Sequence, residues 1–299
     1  MFNPETLERL NALLPELHAP WLVVSIGHFA FRAHCDVAAA LVAALPTEDD
    51  KNPEAQLRRQ HLAMGVVEEV FQQVDLFWRV VAGLRAHREG RGFLAGFCSR
   101  PAPATTAKIM RAGGVSTWDE LLRVEDTHGL RERVRRLGLG SEHVEAWLRA
   151  ASELPSRCAT ATGELERLYV KPRANVKDAS VEAMSLRDAN DIYRHGTRVL
   201  YEECVTRPTE NVAMNPATRE GMSPSKDEVL ANPSSAFVQL LDHSPRSKIP
   251  WRTTRVPTDD ASLKRMVKSV EDIAELIRSL VLWLISTEPP AGAALARTD

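Results

Sequence analysis

Two groups of side chains in this chain are equipped for chemistry. The first lies in WLVVSIGHFAFRAHCDVAAALVAAL, residues 21–45, the most continuously apolar run apart from the C-terminal one. On a helix at about 100° per residue, Ser25, His28, Arg32, Cys35 and Asp36 fall within roughly one third of the circumference. His28, Arg32 and Asp36 stand at i, i+4 and i+8. Arg32 could therefore hold an anion while His28 acts as general base. The same spacing also suits a buried ion pair with a supporting histidine. The second group is Arg194-His195 beside Tyr193 and Tyr201, and His195 is the other candidate base for a pocket at Arg32. No nucleophile elbow, P-loop, dinucleotide fingerprint or metal-ligand spacing is present, so neither cofactor nor metal is expected.

These groups need elements to hold them. A helix apolar nearly all round belongs inside a bundle. Residues 21–45 are therefore the expected central helix, with Arg32 buried against Asp36 or an acid of the next helix. In residues 54–88, Met64, Val67, Phe71, Val74, Trp78 and Val81 recur at steps of three and four, the mark of a packed helical seam. His61, Glu68, Gln72, Asp75 and Arg79 line another face, read as solvated or as partners for Arg32 and His28. Ser185 opens a helix over 185–205 with Asp188 as its capping-box partner. Thr258 and Asp259 cap a last helix over 259–286, with Leu263, Met266, Val270, Ile273, Ile277, Leu280 and Leu284 at helical spacing.

Between those last two helices, residues 206–258 carry closely spaced prolines at 208, 216, 224, 233, 245, 250 and 257. Short helices at 226–231 and 235–242 are expected there, and loop elsewhere. Such a region reads as a lid, or as an arm onto a second subunit or another protein.

Residues 104–155 differ in texture, with short helices expected between breaks at Gly113-Gly114, 126–129 and 138–140. Ser116 and Thr117 lead into WDELL, and Ser141 leads into EHVEAWL, both as N-caps. The succession AGGVST, DELL, a basic helix and LGLGSEHVEAWL resembles helix-hairpin-helix modules, in particular a small bacterial family built of tandem hairpins. That resemblance implies contact with the nucleic-acid backbone, DNA or RNA, through hairpin amides at Gly113, Gly114, Gly138 and Gly140. Lys108, Arg111, Arg131, Arg133, Arg135 and Arg136 supply the cations that phosphate binding requires. Asp119, Glu120, Glu125, Asp126 and Glu132 are interleaved with them, so a merely solvated helical surface is the alternative.

A second likeness covers the flanking helices. Arg32-x-x-x-Asp36 on an early apolar helix, the stretch 193–208 and the last amphipathic helix together resemble all-helical bacterial bundles related to the HEPN superfamily. The resemblance implies an all-α bundle and an association with bacterial defence. RNA-cleaving members space an arginine and a histidine more closely than Arg187 and His195, so the likeness implies the scaffold more than the ribonuclease chemistry.

The expected organisation is all-α. Residues 1–98 and 158–299 form the two parts of a bundle, and 99–157 form an inserted cluster of short helices. The formal net charge of −2 gives no global attraction to nucleic acid or to anionic membranes. Cys35, Cys98, Cys158 and Cys204 are scattered without a C-x-x-C pair, which suits reduced thiols in the cytoplasm. The N-terminus has no basic segment ahead of an apolar one, so no signal peptide is expected. Neither apolar run suits a membrane span: the first is interrupted by His28, Arg32, His34 and Asp36, and the second is too short.

Three functions remain open on these grounds. One is a cytoplasmic, nucleic-acid-associated helical protein of bacterial defence. Another is a non-enzymatic module for protein interaction or dimerisation through 206–258. The third is a bundle that binds or transforms a small molecule in a pocket at Arg32.

Overall fold

The computed structural model describes residues 25–26, 29–50, 52–99, 103–123, 128, 131–132, 135, 141–169, 181–195, 199–200, 237–243 and 251–287. His28, Arg133, Arg136, Gly138, Gly140 and the proline-bearing stretch 201–236 lie outside the described residues. The fold is predominantly helical, with one small sheet. No helix among the described residues is long and apolar enough to cross a membrane.

The longest element is α2 (Pro53–Arg88), 36 residues and so about 54 Å at 1.5 Å per residue. Its six seam residues are all buried, and so are Val66, Val70, Phe77, Val80 and Leu84 on other sides. This helix, rather than the described residues of 21–45, is the one enclosed nearly all round. In the earlier segment a π-helical turn (Ala30–Cys35) leads into α1 (Asp36–Ala43). There Phe29 is 55 % exposed and Val37 40 %. The reason is volume: α2 carries valine, phenylalanine and tryptophan, whereas α1 is largely alanine and has little apolar area to bury.

The described residues form two compact units. One comprises those up to Val37, those of Glu69–Arg167 and those from Ser269 on. It contains α3 (Phe93–Phe97), α4 (Pro103–Leu122) and α5 (Ser141–Arg167). Gly83 and Phe93 interlock here, because a Cβ on Gly83 would stand 2.5 Å from the Phe93 ring. The described residues of 104–155 belong to this unit. The break expected at Gly113-Gly114 is present, with Gly114 at φ 55°, ψ −146°, a region open essentially to glycine. Residue 157, the expected end of the inserted cluster, lies within α5, which runs from Ser141 to Arg167 with Pro155 inside it. Proline costs that helix one hydrogen bond, and burial of Leu154, Pro155 and Cys158 holds it.

The other unit comprises the described residues of Ala38–Glu68 and Leu168–Lys268. Ala63, Val66 and Leu263 form an apolar cluster with Leu41, Val42 and Met266 packed on it. The unit also contains β1 (Val181–Ala183), α6 (Leu186–His195), β2 (Val199–Leu200), β3 (Phe237–His243) and β4 (Trp251–Pro257), and α7 (Asp260–Thr287) follows in the chain. The strands form one sheet in the order β1-β4-β3-β2, with β1 parallel to β4 and the other pairs antiparallel.

Two expectations are corrected in this unit. The helix expected over 235–242 is the strand β3, in which Val238 and Leu240 point inward at period two and Val238 pairs with Val256. The helix expected over 185–205 stops at His195, and Val199-Leu200 pairs with Leu240-Gln239. The cap at the other end is as expected: the Asp188 N–H donates to Ser185 Oγ at 3.1 Å.

Candidate functional site

Arg32 is not buried. Its side chain is 70 % exposed and pairs with Asp36 at 2.9 Å, one of the two partners expected for it. The inward side chain is His34, whose Nδ1 lies 2.7 Å from the Glu69 carboxylate. A stripe drawn at 100° per residue fails here because residues 30–35 follow the wider π turn. Gln73 holds that turn. Buried, it donates from Nε2 to the carbonyls of Ala30 and Val270, at 3.3 Å each. Beside it the Cys35 thiol is pushed up to about 11, first by burial and then by the charges of Glu271 and Asp36. Arg32 and Asp36 thus form a solvated ion pair rather than the wall of a pocket.

Arg194 and His195 end α6 in the other unit, and both are exposed. Residues of α2 read as a solvated face meet them there. Glu68 pairs with Arg194 at 3.2 Å, and His61 Nδ1 lies 2.8 Å from the Tyr193 hydroxyl. Burial, then the Glu68 charge, raises the Tyr193 phenol above its ordinary value. In the sequence His61 and Glu68 show only as polar residues on a helix face. Their engagement depends on where α6 docks. The nearby Arg252 bridges Asp188 and Asp242, at 3.3 and 2.6 Å, and ties α6 to the β-hairpin.

The residues expected to touch phosphate are largely occupied. Arg111 pairs with Glu166, Arg131 with Glu145 at 3.3 Å, and Arg135 with Glu132 at 3.8 Å. Lys108 is exposed. Gly113 is explained by packing, since a Cβ there would stand 1.4 Å from Thr117 Oγ1, and its carbonyl accepts from Ser116 Oγ at 2.7 Å. Among the described residues, no group of three or more His, Cys, Asp or Glu could hold a metal ion.

A concavity that charge and motif reading missed lies in the first unit. It is a cleft of about 370 Å³ between the C-terminal end of α2 and α4. Met110 and Leu121 form a buried apolar floor, and Ile109 forms a wall that is half exposed. At the rim Arg88 donates to the Glu120 carbonyl at 3.2 Å, and Glu89 is engaged by Arg91 at 2.9 Å. The Arg91 guanidinium holds the Glu89 carboxyl below its usual value. Arg85 lines the same cleft, exposed; its side chain makes no hydrogen bond or close ion pair among the described residues, and its charge also lowers the Glu89 carboxyl. Further along α4, Val115 is exposed as well. The sequence signal was Ile109-Met110 between Lys108 and Arg111, an apolar pair inside a charged run.

Comparison with protein-family models, with curated proteins and with solved structures finds no match to this chain.

Proposed function

We propose that the protein is a non-enzymatic interaction module that docks a segment of a partner protein in the cleft between α2 and α4. One observation carries the reading: an apolar floor and a half-exposed isoleucine stand beside Arg85, an exposed arginine that forms no close ion pair among the described residues and acts on Glu89 only through its charge. Apolar pockets edged by arginine are where binding energy concentrates at protein interfaces. The complementary segment would place one or two apolar side chains on Met110 and Leu121 and a carboxylate on Arg85, where a bidentate fork can form. The candidate catalytic residues lend less support to an enzyme, because Arg32, Asp36 and Arg194 are engaged in solvated ion pairs.

On this reading, a likeness to HEPN-related bundles accounts for the helical scaffold and not for ribonuclease chemistry. Free thiols at Cys35, Cys98 and Cys158 support placement in the cytoplasm. Nucleic-acid association is the competing reading, and Lys108 is its strongest remaining group. Two titrations of the full chain separate them. One uses fluorescent peptides that carry apolar residues followed by an acid; the other uses duplex DNA and single-stranded RNA at two salt concentrations. We expect peptide binding that Arg85→Glu weakens about tenfold or more, as loss of a charge pair in an apolar setting does. Nucleic-acid binding tighter than about 100 µM with a steep salt dependence, and no peptide binding, would reverse the order of the two readings.

A further inference from the structure

The cleft between α2 and α4 carries two opposite charges that do not meet. Both halves of α4, either side of Gly114, line it: Ile109 and Met110 from the first, Thr117, Glu120 and Leu121 from the second. Arg85 belongs to the α2 wall and Glu120 to the α4 wall, and both are exposed. The Glu120 carbonyl is tied to Arg88, three residues beyond Arg85 and so about 4.5 Å further along the axis of α2. The Glu120 carboxylate makes no hydrogen bond or close ion pair among the described residues, and neither does the Arg85 guanidinium. The other rim charges are engaged, Glu89 by Arg91 and Arg88 by that carbonyl.

We propose, resting on the docking role given to this cleft above, that the partner segment is dipolar. It sets an acidic side chain on Arg85 and a lysine or arginine on Glu120, about one helical turn apart, beside an apolar side chain on Met110 and Leu121. Arg85 alone would draw any anion, phosphate included. With Glu120 on the facing wall, a purely acidic segment meets one attraction and one repulsion. A nucleic-acid backbone meets the same conflict, because a phosphate at Arg85 brings its neighbours toward Glu120. Like charges brought together reject wrong partners more than a matched pair adds affinity. Glu120 is therefore a specificity residue and Arg85 an anchor. The apolar floor supplies most of the binding energy. A segment that covers the cleft also excludes water from both charge pairs, which strengthens them.

Fluorescence polarisation of the full chain with three peptides of equal length and the same apolar core tests this. One carries an acid and a lysine, one an acid and a glutamine, and one two acids. Wild type should bind the acid–lysine peptide best, the acid–glutamine peptide about threefold more weakly and the two-acid peptide about tenfold or more so. Glu120→Lys should reverse the order, so that the two-acid peptide binds best. A general loss of folding weakens all three alike and cannot reverse an order. Glu120→Gln should erase the preference for lysine over glutamine, and serves if the lysine variant fails to fold. Equal binding of the three peptides, with Arg85→Glu weakening each, overturns the dipolar partner and leaves the docking role standing. An order unchanged in both Glu120 variants overturns the part given to Glu120. Absence of binding to every peptide overturns the docking role and this inference together.

Discussion

Replacement of Arg59 by methionine isolates the most consequential buried cation among the described residues. Arg59 is 1 % exposed in its side chain. It donates to the carbonyls of Pro46 at 2.7 Å and Thr258 at 2.9 Å, and pairs with Asp260 at the start of α7. Methionine keeps an unbranched apolar stem and removes every donor. The buried Thr258 carbonyl and the half-buried Pro46 carbonyl then lose this donor, at about 1–3 kcal/mol for the buried acceptor and less for the other. Asp260 is 54 % exposed, so its charge rehydrates and adds little. Removal of a buried guanidinium also relieves a desolvation penalty, and here its Nε has no partner to lose. The net expectation is a loss of about 2–4 kcal/mol.

Arg32→Ala, by contrast, breaks a solvated pair and should cost no more than about 1 kcal/mol. Urea unfolding followed by circular dichroism measures both. With a slope of about 2–3 kcal/mol/M, the Arg59→Met midpoint should fall by about 1 M. Equal small losses for the two variants would refute the inference that Arg59, and not Arg32, is the buried structural cation.

Two further outcomes follow from local chemistry. Cys35, pushed up to about 11, and Cys158, raised by burial, should react with iodoacetamide far more slowly than exposed Cys98 at pH 8, as read by peptide mass spectrometry. Equal labelling of Cys35 and Cys98 would contradict that order. Asp259 caps α7 by accepting the Ser262 N–H at 2.9 Å, and the Ser262 hydroxyl followed by that N–H holds its carboxyl below the usual value. Asp259→Ala should cost about 0.5–2 kcal/mol at neutral pH. A carboxyl depressed in the folded state stabilises above its unfolded value of about 3.9 and loses that contribution as pH falls through the folded one. The gap between wild type and variant should therefore narrow with acidification below about pH 4; a gap independent of pH would show that the charge plays no part.

What the sequence determined by itself is whatever short-range physics controls. The seam from Met64 to Val81 marked α2, because one side of a 3.6-residue period was filled with large apolar groups. Ser185 and Asp259 marked helix starts, because a cap needs only a side-chain oxygen and an N–H three residues on. Gly113-Gly114 marked a break, because Gly114 takes a positive φ. Tertiary structure decided the rest. The β-hairpin was hidden in a proline-bearing stretch, and Phe237 finds Pro257 twenty residues away only when the chain closes. Whether Arg32 or His34 faces inward turned on a π turn held by Gln73, forty-three residues from Ala30. The cleft needed α2 and α4 side by side before Arg85 and Met110 could share a surface. Periodicity and caps act within a few residues. Strand pairing, buried polar tethers and concave surfaces join residues far apart, and their partners exist only once the chain has folded.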